Sequence, residues 1–320
     1  LTYYLKRPEL LQPIAAGLVA CSAHRQIART LGCSHATVNL QSHRLGRHAL
    51  LFQAVALGQI QTIREPVVAD HFESFAYSQE MQLGIATPVG AESWFVYDLD
   101  PVPHKLGGSR SEVREKRLKE QKKRWGELPQ GSYRQSARRC LDRLLKKTPK
   151  RQVLEWITDG HPSYIRAIET HPERSRIRHG CYPNPKRGPK GSPKSREAKV
   201  RDRKMFPVDL LHKLFRHSLA NHKRETLAFG RRSNMVLLRC FHTIVWRNFV
   251  KDRSERSPTG RTPAIDLGLT DRKWKWREVL ARRLFPFRIP VPEAWMRLYR
   301  QEMETPGVGR NLRHTLKYAF

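Results

Sequence analysis

Apolar positions in the first sixty residues recur at helical spacing. Pro8 opens one helix, residues 23–31 carry a second and 34–45 a third, with Ile27, Ala28, Leu31 and Val38 forming a packing face. From Glu65 the period changes. Residues 66–69, 81–87 and 94–97 are short apolar runs between turn residues, the pattern of a three-strand meander whose second turn falls at Gly90 and Ala91. Residues 109–150 are polar and predict two helices broken around 128–131. A compact strand over 151–158 ends in Asp159-Gly160-His161-Pro162, then a helix over 163–169 and a short strand near 177–181. Apolar spacing across 209–249 predicts two helices separated near Phe229-Gly230.

The expected organisation is therefore an all-α segment at 1–62, an α/β domain at 63–250 and a basic tail at 251–320. Trp274, Trp276 and Trp295 mark the tail as a small helical appendage. Within the α/β part, residues 183–204 are rich in Pro, Gly, Lys and Arg. They read as a flexible basic insertion that orders on a polyanion.

Charge narrows the class of partner. The 320 residues hold 61 Lys and Arg against 29 Asp and Glu, a formal net charge of +32, while 39% hydrophobic composition suffices for a substantial core. Such a field favours a polyanion, and nucleic acid fits it better than a membrane surface. The helices of 110–151 and the insertion read as solvated or DNA-facing. No window approaches 18 apolar residues and residues 1–30 lack the order of a signal peptide, so a cytoplasmic, nucleoid-associated protein with no membrane contact is expected. The chain opens at Leu1 rather than Met, which an alternative start or a lost N-terminal segment would explain. Cys21, Cys33, Cys140, Cys181 and Cys240 form no C-x-x-C pair, so reduced thiols are expected rather than a zinc site or a disulfide frame.

Residues 25–38 have the length and punctuation of a helix-turn-helix. Gly32 suits the tight turn and Ser34 the cap of the second helix. That helix would offer His35, Ala36, Thr37, Asn39 and Gln41 to a major groove, with Arg44 and Arg47 near phosphates and Arg25 of the preceding helix as a further candidate for DNA contact. A plain helical hairpin is the alternative. Lys186, Arg187 and Lys190 of the insertion, and Arg216 and Arg232 on later helices, are further candidates for DNA contact, although a solvated face accounts for Arg216 or Arg232 equally.

Few acids are present, so their positions matter. Asp70 ends the strand Val67-Val68-Ala69-Asp70 and Asp159 ends Glu155-Trp156-Ile157-Thr158-Asp159, which places two carboxylates at strand ends on one rim. Asp is also a favoured turn former, and either position could be no more than that. The stretches Val67-Val68-Ala69-Asp70-His71-Phe72-Glu73, Trp156-Ile157-Thr158-Asp159-Gly160-His161-Pro162-Ser163-Tyr164, and Asp209 to Arg216 with Arg224-Glu225-Thr226-Leu227-Ala228-Phe229, in that order, resemble the bacterial insertion-sequence transposases of the DDE class.

The resemblance spans roughly residues 20–250 and implies an RNase H-like mixed sheet flanked by helices, preceded by the helix-turn-helix. It implies an enzyme that binds element ends and performs metal-dependent DNA cleavage and strand transfer. Two Mg²⁺ or Mn²⁺ ions would be its cofactors, with Asp70 and Asp159 as the first two metal ligands. The family's third acid is usually a helical Glu followed seven residues later by Arg or Lys. Asp209 with Arg216 and Glu225 with Arg232 both satisfy that spacing; Asp209 is preferred and Glu225 is the alternative. Double-stranded DNA, both terminal repeats and target, and a second copy of the chain on DNA are the implied partners. A catalytically inactive DNA-binding protein or regulator derived from such an element is the competing expectation.

Overall fold

The computed structural model describes residues 1–2, 5–104, 111–127, 131–186, 188–189, 191–223, 226–256, 258–305 and 308. Its helices are α1 (Leu11–Val19), α2 (His24–Thr30), α3 (His35–Gln59), α4 (Glu112–Trp125), α5 (Tyr133–Leu145), α6 (Pro162–Glu169), α7 (Arg196–Lys204), α8 (Phe206–Ser218), α9 (Ser233–Val245), α10 (Pro263–Asp266), α11 (Trp276–Ala281) and α12 (Glu293–Tyr299). The strands are β1 (Val67–Val68), β2 (His71–Phe75), β3 (Gln82–Ala86), β4 (Val89–Gly90), β5 (Asp100–His104), β6 (Leu154–Thr158) and β7 (Ile177–Cys181). The architecture is mixed α/β, with helices flanking mixed sheets.

Gly32 adopts φ +56° between α2 and α3, a conformation that L side chains rarely take. Ser34 Oγ accepts a hydrogen bond from Thr37 N at 3.0 Å and caps α3. The third helix does not end near Leu45. Leu45, Ala49, Leu50, Phe52 and Ala56 continue its apolar spacing and are buried, so it extends to Gln59. Its second half packs against α9 so closely that a Cβ on Gly46 would lie 2.6 Å from Leu238 Cβ. Ile14, Leu50, Val67, Phe215, Phe241, Val279 and Trp295 belong to one hydrophobic cluster. The three segments read from the sequence thus share a core. Trp295, in the C-terminal helices, donates its indole N–H to the Leu99 carbonyl at 2.8 Å.

The sheet pairings carry a simple register. β1 runs antiparallel to β4, with Val67 opposite Gly90, and β2 antiparallel to β3, with His71 opposite Ala86. The two ladders keep the same offset, and Thr87 N donates to the Asp70 carbonyl at 3.0 Å between them. β1 and β2 are therefore two halves of one extended strand interrupted at Ala69 and Asp70, as β3 and β4 are of its neighbour. β6 lies parallel to β1, and β7 parallel to β6. Across the whole, β5 flanks β3, the β1/β2 strand is central, and β6 then β7 complete the other side.

The third meander strand differs from its expected place. Residues 94–97 make only the isolated Val89–Val96 bridge, and the regular ladder is β5, with Ala86 opposite Asp100. Val89 lies three positions past Ala86 while Val96 lies four positions before Asp100, so one extra residue is taken up there as a bulge. Pro101 and Pro103 are tolerated because β5 is an edge strand.

Two basic segments also depart from expectation. α4 buries none of its residues, but α5 buries Tyr133, Ala137, Cys140, Leu141, Leu144 and Leu145. Two arginines of α5 are directed inward. Arg139 Nη2 donates to Asp100 Oδ1 at 2.5 Å, and Arg143 bonds Asp98 Oδ2 and Asp100 Oδ2, both at 2.6 Å. Buried acids at the bulge thus take up charge that composition alone assigned to solvent or DNA. In the insertion, residues 196–204 form α7 with Ser195 as its cap, and this helix packs on α8.

Candidate functional site

The strand register decides where the acids meet. β1 pairs with β6 so that Val67 lies opposite Trp156 and Val68 opposite Ile157, and Ala69 N donates to the Ile157 carbonyl at 2.8 Å. Two residues further along that register, Asp159 follows the end of β6 beside Asp70. α8 lies over the same rim. His212 Nε2 is 2.8 Å from Thr87 Oγ1, and His212 Nδ1 is 3.7 Å from Asp70 Oδ2. Asp209, one turn earlier on α8, acts electrostatically on Asp70.

Asp70 is firmly held. Its Oδ1 accepts from His71 N at 2.7 Å and from the Tyr164 hydroxyl at 3.2 Å. The Tyr164 oxygen is also 2.6 Å from His71 Nδ1, and His71 Nε2 is 2.8 Å from Ser136 Oγ. Tyr133 stacks on His71 with centroids 3.9 Å apart. Asp159 Oδ1 accepts from His161 N at 3.0 Å and its Oδ2 from Asn184 Nδ2 at 3.5 Å. Asp209 is held by a two-pronged ion pair from Arg201 of α7.

Burial, then the negative charge of Asp159 and more weakly that of Asp209, push the Asp70 carboxyl up to about 7, while the bonds from His71 N and Tyr164 oppose the shift. The nearby imidazole does not compensate. Burial, then Arg216, pushes His212 down to about 3, so it is neutral near pH 7 and the 3.7 Å contact is no salt bridge. His71 is likewise driven well below its ordinary value, chiefly by burial. The rim therefore concentrates negative charge, and Arg201 is a close counterion to it.

This donor set suits a hard divalent ion. Mg²⁺ takes one or two carboxylates and completes its octahedron with water and substrate oxygens, so Asp70 and Asp159 are an adequate protein contribution. Among the described residues, no three His, Cys, Asp or Glu side chains converge as a ready-made metal cluster. Asp209 is engaged by Arg201.

The other candidates separate into two groups. Arg25 and His35 are exposed, and Asn39 and Gln41 are half-buried on α3. Thr37 is half-buried, its Oγ1 2.8 Å from Ser34 Oγ. Leu40, exposed by 53%, lies among them. Beyond this short face the helix enters the core. Arg44 donates to the Leu1 carbonyl at 2.7 Å, and Arg47 is buried with its guanidinium 5.8 Å from the Tyr299 ring centre. Arg47 is thus no open phosphate ligand; the apolar continuation of α3 draws it inward. Arg216 lies over the Phe72 ring at 4.8 Å and donates to the Glu73 and His222 carbonyls, so it braces α8 against β2. Arg232 is the half-buried N-cap residue of α9, and Lys186 is exposed. Glu225, Arg187 and Lys190 lie outside the described residues.

Sequence reading missed Tyr164, His71, Thr87, Arg201 and His212. His212 was legible in principle, standing three residues after Asp209 on the same helical face. Arg201 was not, because its partner is fixed only by how α7 folds back on α8. All five cysteines are free thiols. Among the described residues, no helix is long and apolar enough to cross a membrane. Comparison with known proteins adds no assignment: no protein-family model matches the chain, and no curated protein matches it in sequence.

Proposed function

We propose that this protein is a DDE-type DNA transposase in which Asp70 and Asp159 hold Mg²⁺ or Mn²⁺ and Asp209 completes the set. The observation that carries the reading is the parallel register that sets Asp159 beside Asp70, together with the raised affinity of Asp70 for a proton. A carboxyl destabilised by burial and by its neighbours' negative charge is a site that a divalent cation would relieve. The strand order, an antiparallel meander with its first strand central and two parallel strands beyond it, supports an RNase H-like core. The tight turn at Gly32 and the capped start of α3 support a helix-turn-helix ahead of it.

In this reading the chain's residues have distinct duties. Bound divalent ions would activate the attacking oxygen and stabilise the leaving oxygen of the phosphodiester. Tyr164 and the His71 amide hold Asp70 in one orientation, and His161 N and Asn184 do the same for Asp159. The exposed start of α3 reads element ends, and α4 with the exposed lysines and arginines of α7 tracks phosphates without reading sequence. Two element ends joined in one reaction call for at least two copies of the chain on DNA.

One observation favours a second reading, a DNA-binding protein without catalysis: Asp209 is engaged by Arg201 rather than directed to a shared ligand. Strand transfer separates the two. Purified protein, Mg²⁺ or Mn²⁺, a labelled duplex copied from the DNA flanking the gene and a supercoiled target are run beside Asp159→Asn. Joined product that disappears in the variant supports the transposase. Duplex binding without joining in both proteins supports the regulator.

A further inference from the structure

The Arg201–Asp209 pair sits where the proposed site and the basic insertion meet. Arg201 is the residue of α7 that turns inward, its side chain only 13% exposed, while Arg196, Lys199, Arg203 and Lys204 on the same helix are exposed. It grips Asp209 through both terminal nitrogens and stands 3.7 Å from Asp202, which is itself held by Lys194 at 2.6 Å. Its Nε is buried without a hydrogen-bond partner, so the guanidinium is not fully satisfied where it lies. Asp209 in turn is close enough to Asp70 to act on its charge.

Arg201 thus occupies, in the free protein, the electrostatic role of a cation at the third acid. A guanidinium binds phosphate with the same forked geometry that it offers a carboxylate, so a DNA strand arriving along α7 competes with Asp209 for it. We propose that Arg201 is an exchange residue: it restrains Asp209 until substrate DNA arrives, then transfers its two-pronged contact to a DNA phosphate and leaves Asp209 to the metal. The inference rests on the transposase reading and assigns to DNA itself the completion of the metal site. Exchange places the full ligand set together only when a phosphate group takes Arg201 from Asp209.

The test is Mn²⁺ binding by titration calorimetry, with and without a duplex, for the wild-type chain, Arg201→Gln and the Arg201→Gln/Asp209→Asn double variant. In the wild type, duplex should tighten Mn²⁺ binding. Without DNA, Arg201→Gln should bind Mn²⁺ about tenfold or more tightly than wild type, duplex should add little, and the double variant should lose the gain. The same single variant should lower the salt slope of duplex binding by about one. Unchanged DNA-free Mn²⁺ affinity in Arg201→Gln overturns the exchange while leaving the carboxylate reading intact. Mn²⁺ binding that is insensitive to both Asp70→Asn and Asp159→Asn overturns that reading, and the exchange with it. Should Arg201→Gln lose its helical circular-dichroism signal, Arg201→Lys serves, since it retains charge but not the fork. An affinity between wild type with and without duplex supports exchange, and wild-type behaviour refutes it.

Discussion

Along the seam between α3 and α9, apolar side chains meet at close range, and at Gly46 one helix comes so near the other that no side chain fits between them. At the strand-end rim, Asp70 is held beside Asp159 and within electrostatic reach of Asp209, with neutral His212 and His71 for neighbours. The seam lowers the energy of the folded chain by burying surface. The rim raises it near neutral pH, because burial and like charge both disfavour the ionised carboxyl. Stability and the proposed chemistry thus reside in different places, and substitutions should affect them separately.

The largest expected effect is on chemistry alone. Asp159→Asn should lower strand transfer by about a thousandfold or more, given that metal stabilisation of the transition state is worth several kcal/mol, without lowering Tm. A parallel fall in Tm, followed by thermal melting, would make Asp159 a structural turn residue instead. Duplex affinity should also fall by about a thousandfold between roughly 50 and 200 mM salt if six to ten phosphates are neutralised. Asp159→Asn should leave that slope unaltered in a fluorescence-anisotropy titration; a flat salt response would remove the polyanion argument.

Gly46→Ala tests the seam. Forcing a methyl group onto Leu238 should cost about 1–3 kcal/mol in denaturant unfolding, with activity per folded molecule retained. Equal losses of stability and specific activity would show that the two regions are coupled.

The remaining effect concerns pH. Asp70 has its pKa raised from 3.8 to about 7 on folding, so the folded protein holds the proton more strongly than the unfolded chain. Its contribution is fully present below about pH 4 and is lost as pH rises through about 7. In chelator, Asp70→Asn should melt progressively higher relative to wild type between about pH 5 and pH 8, and added Mn²⁺ should narrow the gap by stabilising only the wild type. A constant difference across that range would refute the raised affinity.

Helical spacing and turn chemistry foretold α2, the start of α3, the split between α4 and α5, and the succession β6, α6, β7, since those signals are local. Ser34 and Gly32 behave as their chemistry requires. The placement of Asp159 just past a strand end was legible too, because an apolar run ending in Asp is visible in the chain, whereas Asp70 does not end its strand but sits at an interruption beyond which the strand continues as β2. The expectation that both lie on one rim required more than this local pattern, a parallel register between residues nearly ninety positions apart, and that register belongs to the folded chain. The third strand is displaced to β5, past a bulge flanked by Asp98 and Asp100, which arginines of α5 bind.

What the sequence determined by itself was therefore the inventory: a strongly basic chain, helices and strands of given period, acids at the ends of apolar runs and a capped tight turn. Tertiary structure alone decided which charges remain outside. Arg47, Arg139, Arg143 and Arg201 look like any other basic residue in the chain, yet the first is buried against Tyr299 and the others pair with acids. The reason is physical. Period and capping act over a few neighbouring residues, whereas the fate of a charge depends on which distant carboxylate, ring or solvent the packed chain brings within a few ångströms of it.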